Sequence, residues 1–129
     1  MVGYGKMGRT IEQIALERGH TIAGRIDIDN VRDLDTARAD VAIEFSHPDA
    51  AYENVKKCVQ RRIPVVCGTT GWLDRRAEIE NLTLEQGTTF FYASNYSLGV
   101  NVFFKVNEHL ARMMNQFSGY DVSINEVHH

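Results

Sequence analysis

Three observations predict an α/β fold built on a parallel sheet. Short apolar runs alternate with longer amphipathic stretches along most of the chain. A glycine-rich turn, Gly3-Tyr4-Gly5-Lys6-Met7-Gly8, opens the first amphipathic stretch. Glycine and small polar residues close the apolar runs at Gly68 and Ala93. Strands that alternate with helices must cross over to rejoin the sheet, and such sheets are parallel with helices on both faces.

Taken in order, Met7, Ile11, Ile14 and Ala15 form one helical stripe over Met7–Arg18, which Gly19 stops. Thr21–Ile26 reads as a short strand, and Val41–Phe45 as a second, nearly continuous apolar one. Pro48 stands where a first-turn proline is tolerated, and Ala51, Val55, Cys58 and Val59 give the next helical stripe. Ile63–Cys67 is a buried strand, Asp74–Glu85 a helix of weaker periodicity, and Thr88–Tyr92 a strand rich in β-formers. Ser97–Met114 is a long helix, with Phe103, Phe104 and Met113 expected in core packing. Tyr120–Ile124 alternates apolar and polar as a half-exposed strand does. That alternation differs from the earlier strands, so the sequence divides into residues 1–96, a doubly wound domain, and residues 97–129, a connecting helix with the first strand of a second, α+β domain.

Composition narrows the function. The 129 residues are 43% hydrophobic and 24% charged, with a formal net charge of −3. That balance carries no polybasic footprint for nucleic acid or anionic membrane. Arg61-Arg62 and Arg75-Arg76 read as solvated helix faces, and His20 and His109 as surface residues. Cys58 and Cys67 lie in a helix and a strand without metal-ligand spacing, so they read as buried, reduced thiols of a cytoplasmic protein. No apolar run reaches a membrane span, and no cationic leader precedes the first motif.

Gly3, Gly5 and Gly8 fit the G-x-G-x-x-G pattern of Rossmann-type dinucleotide sites. The first glycine makes the tight turn, the second admits the pyrophosphate, and the third lets helix and strand pack closely. Backbone N–H groups of the helix start at Lys6–Met7 then face the phosphates. Lys6 itself either approaches them or faces solvent. Asp27, 19 residues after Gly8, is placed to accept hydrogen bonds from the adenosine ribose, with Asp29 as a second candidate. The other reading of both is a simple loop turn. Ile28, not a cation, follows Asp27, which favours NADH over NADPH; Arg25 nearby tempers that preference. At the later strand ends, Gly68, Thr69 and Thr70 can reach a nicotinamide ribose or carboxamide, or can form a plain turn. Ala93, Ser94, Asn95 and Tyr96 present an amide for the carboxamide and a ring for the nicotinamide face. Ser46 and His47 border the same cleft.

These segments together resemble one family. Gly3–Gly8, Glu44-Phe45-Ser46-His47-Pro48, Gly68-Thr69-Thr70-Gly71, Ala93 to Asn101 and Glu126-Val127-His128-His129 occur in the order found in the 4-hydroxy-tetrahydrodipicolinate reductases, also called dihydrodipicolinate reductases. The resemblance implies reduction of a cyclic unsaturated dicarboxylate by NADH or NADPH, in lysine and diaminopimelate biosynthesis. It implies that His128 is the acid that protonates the substrate, that His129 contacts a substrate carboxylate, and that the whole protein is a homotetramer. No metal site is expected from the residues themselves. Adjacent strand residues point to opposite faces, which argues against His128 and His129 sharing one ion. Two departures stand out. Only Met1 and Val2 precede the glycine loop, and the family's Asp-Ala-Pro-Ser-Gly-Thr loop does not follow His129. Both ends therefore read as cut. The rival expectations are another Rossmann amino-acid dehydrogenase, or a non-catalytic nucleotide-binding module.

Overall fold

The computed structural model describes residues 1–125 and 127. The chain forms two compact units, Met1–Ser94 and the segment from Asn95 onward.

The first unit is a Rossmann-type α/β domain. Its ladder joins β1 (Ala42–Glu44), β2 (Val65–Cys67) and β3 (Phe90–Tyr92), all parallel and in that order. Ala42 faces Val65, which faces Phe90; Glu44 faces Cys67, which faces Tyr92. Val2 extends the sheet beyond β1, bridging Glu44 on one side and Ile26 on the other, both parallel. The lateral order is thus Ile26, Val2, β1, β2, β3. The chain steps one way from Val2 to Ile26 through α1 (Lys6–Glu17), and the other way from β1 to β3 through α2 (Pro48–Gln60) and α3 (Arg76–Gln86). Right-handed crossovers in opposite directions put α1 on the face opposite α2 and α3. The reversal lies between Val2 and β1.

The core sits between the sheet and α2–α3. Val55, Cys58, Val59, Ile79 and Cys67 are fully buried, and Trp72 packs among Tyr52, Phe90 and Tyr92. Pro48 is at the first turn of α2 as the sequence predicts, with His47 as the N-cap. Gly87 closes α3 with φ +62°, the left-handed conformation a helix stop favours. Both cysteines are buried.

Several expectations change. Thr21–Ile26 is not a regular strand. Only Ile26 bridges, because its sole neighbour is the short Met1–Gly3 segment, which it meets through Ile26 N–H to Met1 and Gly3 N–H to Ile26. A 3-10 helix, Ile28–Asp35, follows instead. On α1 the buried positions are Gly8 and Glu12, while Met7 and Ile14 of the expected stripe remain exposed. Arg61, Arg62, Arg75 and Arg76 are exposed, as expected, and two of them also make contacts: Arg61 donates to the carbonyls of Asp35 and Ala37, and Arg75 stacks 3.4 Å from the Tyr52 ring centroid.

The second unit holds α4 (Leu98–Met114). Ser97 Oγ caps it by accepting from Val100 N–H, and Asn101 donates to the carbonyls of Asn95 and Ser97. Phe103, Phe104 and Met113 are more than half exposed, against the expected core packing. Tyr120–Ile124 has no strand pairing among the described residues and is exposed throughout. An alternating pattern makes a strand only where a neighbouring strand takes its N–H and C=O groups. No helix among the described residues is long and apolar enough to cross a membrane.

Candidate functional site

In an open parallel sheet, ligands sit beyond the C-terminal strand ends where the winding reverses. At that point in this fold lies a cleft of about 220 Å³ lined by Gly3, Tyr4 and Gly5 from the first turn, Ile26, Asp27 and Ile28 on one side, and Phe45, Ser46, His47 and Asn54 on the other. A larger hollow, about 900 Å³, lies at the opposite strand ends around Met1, Gly24, Val41 and Ala42, away from every candidate residue.

The three loop glycines do three different jobs. Gly3 has φ +84°, and a Cβ there would overlap the Phe45 carbonyl oxygen. At Gly8 a Cβ would overlap the Gly3 carbonyl, so the helix can approach its own turn only without a side chain. Gly5 differs: among the described residues, a Cβ there would meet no atom within 4 Å. Nothing inside the fold requires that glycine, and the open space above it suits close approach by a ligand. Gly5 is also the N-cap of α1, with no side-chain cap bond and no acidic residue in the first turn. Unpaired N–H groups and the positive helix end favour an anion there. Lys6 and Met7, in that first turn, are exposed.

Asp27 lines the cleft at the end of the Ile26 segment and is exposed. Its Oδ1 also accepts from Ile28 N–H at 3.0 Å, capping the 3-10 helix. It therefore stands in the cleft wall while capping that turn. Asp29 lies within the 3-10 helix, away from the cleft lining. Arg25 is held by buried Glu12, to which its Nε donates at 3.0 Å, and its guanidinium carbon lies 5.8 Å from the Tyr4 ring centroid. Tyr4 Oη also donates to Glu12. Arg25 and Tyr4 together hold the Glu12 carboxyl below the usual carboxylate range. This triad was not legible as a site, because its only sequence signal is a lone acid on an otherwise ordinary helix.

The other strand ends contribute differently. The Phe45 ring lies over Gly68 so closely that a Cβ there would overlap it. Gly68 thus serves that packing. Thr69 is buried, and its Oγ1 accepts from Ser46 N–H at 2.9 Å; Thr70 is exposed. Ala93 N–H donates to the Cys67 carbonyl at the end of β3, and Ser94 follows, exposed. Asn95 and Tyr96 belong to the second unit, where Asn95 Oδ1 accepts from Ser97 N–H at 2.8 Å. The structure therefore brings Gly3, Tyr4, Gly5 and Asp27 to one cleft with Ser46 and His47. Gly68, Thr69, Thr70, Ala93 and Ser94 lie at neighbouring strand ends without lining it. His128, His129 and Glu126 lie outside the described residues. Among those described, no group of three or more His, Cys, Asp or Glu side chains is arranged to hold a metal ion.

A doubly wound sheet with a glycine turn, an uncapped helix start and an acidic wall at its switch point defines a Rossmann-type domain of the dinucleotide-binding class. Residues 1–96 match the family model for dihydrodipicolinate reductase, N-terminus, and the chain belongs to that family. It is 48% identical over 130 residues to a 4-hydroxy-tetrahydrodipicolinate reductase of Christiangramia forsetii, an alignment covering 100% of this chain and 54% of that protein. It is 33% identical over 120 residues to the reductase of Neisseria meningitidis serogroup C, and 34% over 121 residues to that of serogroup B, covering 92% of this chain and 44% of each. The chain spans about half the length of the curated relatives it matches.

Proposed function

We propose that this chain is the nucleotide-binding part of an NAD(P)H-dependent 4-hydroxy-tetrahydrodipicolinate reductase, which forms tetrahydrodipicolinate in lysine and diaminopimelate biosynthesis. The observation that carries the reading is the open position above Gly5, at an uncapped helix start on the switch point of a chain that matches the reductase family. The pyrophosphate rests on Gly3–Gly8, the adenosine ribose on Asp27, and the nicotinamide half on Gly68–Thr70 and Ala93–Tyr96. When bound, the nucleotide supplies hydride. NADH is preferred over NADPH: the residue after Asp27 is Ile28, 88% exposed, rather than a cation, and Arg25 is already committed to Glu12.

Hydride addition to a conjugated ring builds negative charge, and an acid titrating near neutral pH is matched to quench it. His128 takes that role, and His129 holds a carboxylate of the small dicarboxylate substrate. The whole protein acts as a cytoplasmic homotetramer without nucleic-acid or membrane partners; the two buried thiols suit a reducing compartment.

The test is turnover by this chain completed with the remaining part of the Christiangramia forsetii reductase. Oxidation of NADH dependent on 4-hydroxy-tetrahydrodipicolinate is expected, with a His128→Gln variant slower by roughly 10²- to 10⁴-fold in kcat. A folded, nucleotide-binding protein that oxidised no NADH with that substrate would contradict the reading.

A further inference from the structure

Glu44 is the most deeply buried charged side chain of the first unit, fully inaccessible at the C-terminal end of β1. Among the described residues no Lys, Arg or His forms an ion pair with it. Its oxygens are instead met by small donors. Oε1 accepts from Ser46 N–H at 3.0 Å and from the Ser46 hydroxyl, and Oε2 accepts from the Cys67 thiol at 2.9 Å. Burial, then the Glu44 carboxyl, push the Cys67 thiol well up, so it keeps its proton and donates. Asn54 donates to Ser46 Oγ at 3.2 Å, which fixes the serine hydroxyl toward Glu44. The same Ser46 N–H lies 2.9 Å from Thr69 Oγ1. One carboxyl therefore ties the β1–α2 loop to β2, next to the Thr69 turn.

Stability alone does not call for this residue. Burying a carboxyl is costly, and a well-packed apolar side chain commonly serves a core position as well or better. A β-branched residue would suit the strand itself. What the carboxyl adds is a fixed position for Ser46 and, through it, for Thr69.

We infer that Glu44 is a positioning residue for the nucleotide cleft, its buried carboxyl locking the Ser46 and Thr69 turns at the switch point. The inference rests on the nucleotide-binding reading above. Gln at this position keeps an acceptor for Ser46, whereas Leu keeps only the volume.

The experiment measures NADH affinity and melting temperature of the protein in parallel, for the unmodified chain, Glu44→Gln, Glu44→Leu and the core control Val55→Ala. Affinity is expected to fall by about tenfold or more in Glu44→Leu and by no more than about threefold in Glu44→Gln, since Gln keeps an acceptor for Ser46 and Leu keeps none. Val55→Ala should lower the melting temperature and leave affinity within about twofold, since its effect is on packing alone. A folded Glu44→Leu that binds NADH as tightly as the unmodified chain overturns the inference. If Glu44→Leu does not fold, Cys67→Ala, which keeps Glu44 but removes the thiol that ties it to β2, takes its place; unchanged affinity there overturns the inference equally. An unmodified chain that binds neither NADH nor NADPH removes the nucleotide reading and this inference together, whereas equal binding by all variants removes only the inference.

Discussion

Gly3 and Gly5 stand two residues apart in one turn and answer to different constraints. Gly3 is held by the fold, through its positive φ and the Phe45 carbonyl against it, so Gly3→Ala is expected to cost about 1–3 kcal/mol of stability. Among the described residues no atom lies within 4 Å of a Cβ at Gly5, so Gly5→Ala should cost no more than about 1 kcal/mol, the scale of an N-cap change, yet weaken NADH binding about tenfold. Chemical denaturation and nucleotide titration of the two variants separate these effects. Equal losses of stability would mean that Gly5 is structural after all. Charge acts at the same scale. Arg75, then Tyr52, pull the Glu78 carboxyl down to about 2 from its ordinary 4.5. The folded value lies below the unfolded one, so this pair's contribution is complete above pH 4.5 and is lost as pH falls toward 2. Melting temperatures from pH 6 down to about pH 3 should therefore fall less steeply in Glu78→Gln than in the unmodified protein, and added salt should shrink the difference because the pair is exposed. Parallel curves would contradict this account.

At the scale of elements, the sequence was most informative where local pattern and packing agree. Helix α2 was legible from Pro48 and from Ala51, Val55, Cys58 and Val59, all four of which are fully buried against the sheet. Val55→Ala should accordingly destabilise by about 2 kcal/mol, read from urea unfolding; a loss below about 0.5 kcal/mol would mean that α2 packs more loosely than its burial indicates. The pattern misled where a partner decides the outcome. Thr21–Ile26 and Tyr120–Ile124 have strand composition, but strands are made by neighbours, and neither has a full-length one here. The stripe on α1 misled for a related reason. The helix meets its surroundings through Gly8 and Glu12, a glycine and an acid that a hydrophobic pattern does not count. Of the candidate site, the glycine turn and Asp27 could be read directly, because their spacing encodes a backbone geometry. The Glu44–Ser46–Thr69–Cys67 network could not, because it joins residues 23 apart across two strands, and only the register Glu44 to Cys67 brings them together.

For the whole molecule, the sheet order explains why these parts converge. Val2 lies between Ile26 and β1, so the first crossover leaves one way and the later ones the other, opening a cleft that Gly3, Asp27 and Ser46 reach from three different strand ends. On the proposed reading, the pyrophosphate and the adenosine ribose are held by the turn and cleft of the first unit. The central claim is therefore tested most directly by titrating the protein with NADH, NADPH and coenzyme A, following its single tryptophan, Trp72, whose indole N–H is bonded to the Thr69 carbonyl beside the cleft loops. Saturable binding of NADH, tighter than that of NADPH and lost in Gly5→Val, is the predicted result. Binding of coenzyme A alone, or of no nucleotide by a folded protein, would contradict it.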